Sequence, residues 1–163
     1  MEDFRDSLEK GYHKQLMALE GSWEGPTKTW LEPDVEADES TNRSTFRSLL
    51  DGRFAIQKYE GTVNGEPHVG VSIFGYNLDA GRFESAWVDT FHTGTSIMFS
   101  KGNSGIAPLA ALGSFPDGTG GPDWGWRTEL QIADPDHIEV TAYIITPDGQ
   151  EAMAVQTRLA RVN

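Results

Sequence analysis

Cysteine is absent from the 163 residues. That excludes disulfides, thiolate metal sites and cysteine nucleophiles, and leaves a chain that must fold on its core alone. A chain of this length buries roughly 70% of the surface its unfolded form exposes, so one domain can build such a core. Long apolar runs are missing too: nothing approaches the ~20 apolar residues of a membrane span. The start, Met1-Glu2-Asp3, is acidic, and no apolar leader core follows it. The expected compartment is the cytoplasm. Basic residues are scarce, 13 Lys and Arg against 25 Asp and Glu, for a formal charge of −12. A body this acidic repels phosphate backbones and anionic bilayers, so neither nucleic acid nor a membrane is an expected partner. Also missing are a Gly-x-Ser-x-Gly elbow, a phosphate loop, a dinucleotide fingerprint and an EF-hand loop, and no cofactor is expected.

What is present is punctuation. Phe4, Leu8, Tyr12, Leu16 and Leu19 fall on one helical stripe, predicting an N-terminal helix within residues 1–20 that Gly11 weakens and Gly21 ends. The stripe must cover something, and an open end of a β-barrel is the expected place. After Gly21 the pattern turns to period two. Asp51-Gly52 and Asn64-Gly65 are tight-turn pairs, and Asn77 to Gly81, Asp134-Pro135-Asp136 and Pro147-Asp148-Gly149 are further reversals. Strands are expected near 22–31, 41–50, 53–63, 67–77, 82–91, 95–101, 126–133, 137–146 and 151–161. A meander of about nine or ten antiparallel strands avoids exposed edges by closing into a barrel. Two segments interrupt it: the acidic stretch Glu32 to Ser40, read as a solvated loop, and residues 102–125. The latter hold seven glycines and the apolar patch Ile106 to Leu112, read as a lid over the barrel mouth or the contact of a homodimer.

Gly21-Ser22-Trp23, after a helix and opening the first strand, is the Gly-x-Trp signature of calycin-type barrels. Asp51-Gly52-Arg53-Phe54, Gly75-Tyr76-Asn77, Trp87-Val88-Asp89-Thr90 and Asp148-Gly149-Gln150-Glu151 follow in order. With His13, Leu16 and Leu19 they make the chain resemble the uncharacterised DUF1579 family of bacterial proteins over roughly residues 12–158. The resemblance implies a lipocalin-like barrel and no established activity. It also implies that a C-terminal arginine stacks on Trp23. Arg158 fits the family's final arginine and is the preferred partner, whereas strand alternation sets Arg161 on the apolar face with Met153, Val155, Thr157 and Leu159.

Alternation puts Phe83, Ser85, Trp87, Asp89 and Phe91 on one face. A carboxylate among aromatics is poorly solvated, so Asp89 is the candidate acid or base, with a raised pKa; hydrogen bonding to backbone or an arginine is the structural alternative. Arg127 faces outward by alternation and inward by the resemblance, where it would hold a ligand carboxylate or pair with Asp89. Tyr59 and Tyr143 are candidate hydroxyl donors to a ligand. None of His13, His68, His92 and His137 lies in a metal motif, and no metal site is expected. The strands near 41–50 and 53–63 have mixed faces, which suits a partly polar cavity. Three readings of function follow. The first is a binding barrel for a small apolar or amphipathic molecule, lined by Trp87, Asp89, Arg127, Tyr59 and Tyr143. The second is a cofactor-independent isomerase or cyclase using Asp89. The third is a filled barrel serving as a structural or interaction domain. The first is preferred, so the chain is read as a binding protein ahead of an enzyme.

Overall fold

The computed structural model describes residues 3–102 and 109–163. The N-terminal stripe folds as two short helices, α1 (Phe4–Lys10) and α2 (Tyr12–Met17), not one. Gly11 separates them with an extended backbone (φ −105°, ψ −155°), and the Asp3 side chain caps α1 by accepting from the Asp6 amide at 2.9 Å. The helices run into ten strands: β1 (Gly21–Glu32), β2 (Val35–Leu49), β3 (Phe54–Val63), β4 (Glu66–Asn77), β5 (Arg82–Asp89), β6 (Met98–Lys101), β7 (Ala110–Phe115), β8 (Trp124–Asp134), β9 (His137–Ile145) and β10 (Glu151–Val162). Each pairs antiparallel with its sequence neighbours, and β10 returns to β1, so the sheet is a closed up-and-down barrel. Among the described residues no helix is long and apolar enough to cross a membrane.

The turns form as their residues dictate. Asn64 and Gly65 take φ of 51° and 80°, the positive values that a two-residue hairpin turn demands, while Asp51 and Gly52 (56° and 88°) lie in a longer link with Leu50 also at positive φ (51°). The acidic stretch 32–40 is not a loop. Asp34 turns the chain with φ 61°, and β2 starts at once, with Glu36 and Glu39 exposed and Asp38 half-buried, accepting from the Asn64 amide at 3.1 Å. Segment 102–125 is likewise not one loop, because β7 lies inside it. A Cβ on Gly102 would come within 2.3 Å of the Ala110 carbonyl oxygen, and one on Gly113 within 2.5 Å of Ser100 Oγ. These glycines let β6 and β7 approach closely. Leu109, Ala110 and Ala111 are buried and Leu112 is exposed. β6 ends and β7 begins at the helix end of the barrel, where the Gly102 amide donates to the Phe83 carbonyl and Leu109 packs into the core. Ile106, Ala107 and Pro108 of the expected apolar patch lie outside the described residues.

The helix end is a compact apolar plug. Leu16 and Leu19 pack with Trp23, Phe46, Phe74, Phe83, Leu130, Ile138 and Leu159. Trp23 Nε1 donates to the Leu19 carbonyl at 2.8 Å. The arginine over the Trp23 ring is Arg161, with its guanidinium carbon 4.3 Å from the ring centroid. Arg158, the partner preferred from the resemblance, points outward to Glu139. The physical reason is parity: Thr157, Leu159 and Arg161 share the inner face of β10, and Arg158 does not. Arg161 also donates to the carbonyls of Ala18 and Glu20 at 2.7 and 2.6 Å, satisfying the C-terminal end of the helical segment.

Candidate functional site

Above the plug the inner wall turns polar. Thr27 and Thr157 hydroxyls bond to each other at 2.8 Å, Ser44 Oγ donates to Asn42 Oδ1 at 2.7 Å, and Gln57 Nε2 donates to Ser44 Oγ at 3.0 Å. Thr27, Asn42, Gln57, Thr157 and Phe74 bound a cavity of ≈ 80 Å³, whose wall toward the mouth is Tyr59, His68, Trp87, His92 and Trp126. The mixed faces expected of β2 and β3 are thus the wall of a partly polar interior.

Asp89 ends β5 on the inner face, with its carboxylate entirely buried. The chain turns directly beyond it, and the turn wraps Asp89 Oδ1: the amides of Phe91 (3.1 Å), Thr93 (3.0 Å) and His92 all donate to it. Oδ2 accepts from Tyr59 Oη at 3.1 Å and bonds His68 Nε2 at 2.9 Å and His92 Nδ1 at 2.8 Å. Tyr59 in turn accepts from Trp87 Nε1 at 2.7 Å. Its ring lies across β4 where that strand offers Gly70; a Cβ there would sit 2.2 Å from the tyrosine ring. Trp87 stacks on Trp126 with centroids 5.2 Å apart, and the His92 ring tilts against both at 5.4 and 5.3 Å.

The electrostatics reverse one expectation. Burial raises the Asp89 carboxyl, but the bonds from His68 and His92, the charge interaction with His92 and the Thr93 amide outweigh it and hold the group well below the usual carboxylate range. Asp89 is therefore an ionised, saturated acceptor. The Tyr59 hydroxyl is pushed far above its ordinary value by burial first and by the charge of Asp89 second, so it remains a donor.

Of the expected site residues, the fold brings Tyr59, Trp87 and Asp89 together. Arg127 and Tyr143 do not join them. They are register partners on the outer wall, with the Arg127 guanidinium 4.5 Å over the Tyr143 ring and ion-paired to Glu129 and Glu151. Phe91, expected beside Asp89, sits in the turn and is exposed. Sequence reasoning missed His68 and His92 as wall residues. Two signals were available: Asp89 to His92 is an Asp-x-x-His spacing across a strand end, and His68 shares parity with Ser72 and Phe74 on β4.

Residues 9–161 match the family described as "Protein of unknown function (DUF1579)". No curated protein matches the chain. Among solved structures, the fold is similar to that of the S-type phycobiliprotein lyase CPES from Guillardia theta, with a TM-score of 0.55, 12% identity and 93% of each chain covered. A redesigned β-barrel covers 91% of this chain and 95% of its own at 13% identity, with a TM-score of 0.46. At these identities the likeness to the lyase concerns the fold.

Proposed function

The chain belongs to the DUF1579 family, and from that premise we propose that its barrel captures a small amphipathic molecule from the cytoplasm. One observation carries the reading. The inner wall brings stacked indoles and hydrogen-bonding side chains to a single cavity, instead of closing it with the apolar packing found at the helix end. A compact polar group fits among Tyr59, His68 and His92, and an apolar portion lies along Trp87 and Trp126. At ≈ 80 Å³ the cavity lies well below the several hundred Å³ of sites for drug-sized molecules. The ligand is therefore small, or places only one end inside the barrel.

Native mass spectrometry of freshly purified protein tests this reading. The expected spectrum shows the chain with a small molecule retained, at a mass that Trp87→Ala protein does not carry, and also reports whether the chain is a monomer or a homodimer. Bare protein, together with no change in tryptophan fluorescence across a panel of small amphiphiles, would support a filled barrel with a structural role.

Proton transfer is the second reading, favoured by two imidazoles bonded to one buried carboxylate. Ionised and saturated, Asp89 orients them. A ring that donates one N–H to it turns its other nitrogen outward as an acceptor, so in this reading a histidine moves the proton.

A further inference from the structure

We propose that His68, Asp89 and His92 form a binding site for one divalent first-row transition ion, of the class of Zn²⁺ or Fe²⁺, inside the mouth of the barrel. This inference stands apart from the small-molecule reading and would hold if that reading failed. His68 Nε2, Asp89 Oδ2 and His92 Nδ1 all lie within 4.8 Å of one another. The carboxylate oxygen is 2.9 and 2.8 Å from the two ring nitrogens. Around an ion bonded at about 2.1 Å, adjacent ligand atoms sit about 3.0–3.4 Å apart, so both oxygen–nitrogen edges are already close to ligand spacing. The nitrogen–nitrogen edge closes as the imidazoles turn about their side-chain torsions. Two neutral imidazoles and a carboxylate, with no thiolate in the chain, form a donor set for such ions.

Charge supplies the second argument. Asp89 is wholly buried, and its ion-pair partners among the described residues are the two imidazoles alone, with no Lys or Arg. Buried charges are paired or coordinate metals, and a divalent ion meets that need without protonating either ring. The surroundings are those of a supported ligand: three amides fix Oδ1, and Tyr59, itself held by Trp87, donates to Oδ2. On binding, each ring presents a deprotonated nitrogen to the ion and carries its proton on the other nitrogen. Three protein ligands leave positions on the cavity side for water or a small anion.

The test uses the full chain after treatment with chelator, titrated with Co²⁺ and followed by visible absorption, then with Zn²⁺ in competition. One Co²⁺ per chain is expected, displaced by Zn²⁺. His68→Ala and His92→Ala should each weaken binding by at least the ~10–100-fold that loss of a supporting contact costs, while Tyr59→Phe falls within that range. His137→Ala, at a surface turn, should bind as the parent does. Circular dichroism confirms that each variant is folded, and the parent stoichiometry stands even if one is not. Absence of Co²⁺ and Zn²⁺ binding to the parent overturns the proposal, as does binding that His68→Ala and His92→Ala leave unchanged. In either case the cluster is a hydrogen-bonded network only.

Discussion

The two ends of the barrel use the same strands for opposite purposes. At the helix end, β1, β2, β4 and β5 send in Trp23, Phe46, Phe74 and Phe83, and α2 adds Leu16, so that large apolar side chains fill the space. At the mouth, β3, β4 and β5 send in Tyr59, His68, Trp87 and Asp89, which fill less of it and bond to one another. Apolar burial stabilises the fold in proportion to area. A buried polar network stabilises little beyond satisfying its own members, and its value lies in the geometry it fixes. The plug therefore carries stability and the mouth carries chemistry.

A pair of indoles provides the sharpest way to break this comparison. Trp23 is buried to 1% exposure at the plug, and Trp23→Ala should cost about 3–5 kcal/mol. Trp87, only partly buried, should cost under about 2 kcal/mol when truncated, yet abolish ligand retention. Chemical denaturation of both variants measures the difference, and equal losses would mean that the mouth is as much a part of the core as the plug is.

The plug was also the more legible end. Its side chains follow the helical stripe, strand alternation and the Gly-x-Trp signature, and all but Leu19 of those named lie inside a regular element. Alternation also placed Trp87 and Asp89 on one face, and it was right about Arg127 and Arg161 where the family resemblance pulled the other way. Periodicity is a property of the strand itself, whereas a matched arginine can serve either face. The mouth was hidden for physical reasons. His92 enters from a turn, where period two no longer applies, and His68 reaches Asp89 only through the pairing of β4 with β5. The low β-propensity of Ala110-Ala111-Leu112-Gly113 concealed β7, which forms because its glycine permits close approach.

Arg161 offers the second test, at the rim of the plug. It lies over Trp23 and donates to the carbonyls of Ala18, Glu20 and Pro135. Arg161→Ala removes charged hydrogen bonds and a cation–π contact together, and should cost about 2–3 kcal/mol. The loss should be nearly constant with pH. Hydrogen exchange should rise in α2 before it rises at the mouth, and exchange that rises uniformly would remove the claim that this arginine ties the helices to the barrel.

Arg158 should show the smallest effect, and it separates the two arginines that the resemblance left open. Its Nε lies 3.0 Å from Glu139 Oε2 with the guanidinium largely in solvent, so Arg158→Ala should cost only about 0.2–1 kcal/mol. Its signature lies in the pH dependence. Burial raises the Glu139 carboxyl, but bonds from Arg158, Gln156 and Thr141 outweigh it and hold the group below its ordinary value. A carboxyl whose folded pKa is depressed contributes stability that is present above its unfolded value, about 4.3, and is lost as the pH falls through the folded value. Removing Arg158 brings the two values closer, so the acid limb of the stability curve should become shallower while the neutral plateau barely moves. Arg161→Ala should instead lower the whole curve. Urea denaturation of both variants from neutral to acid pH reads the two patterns. A neutral-pH loss for Arg158→Ala as large as that for Arg161→Ala would return the stacking role to Arg158.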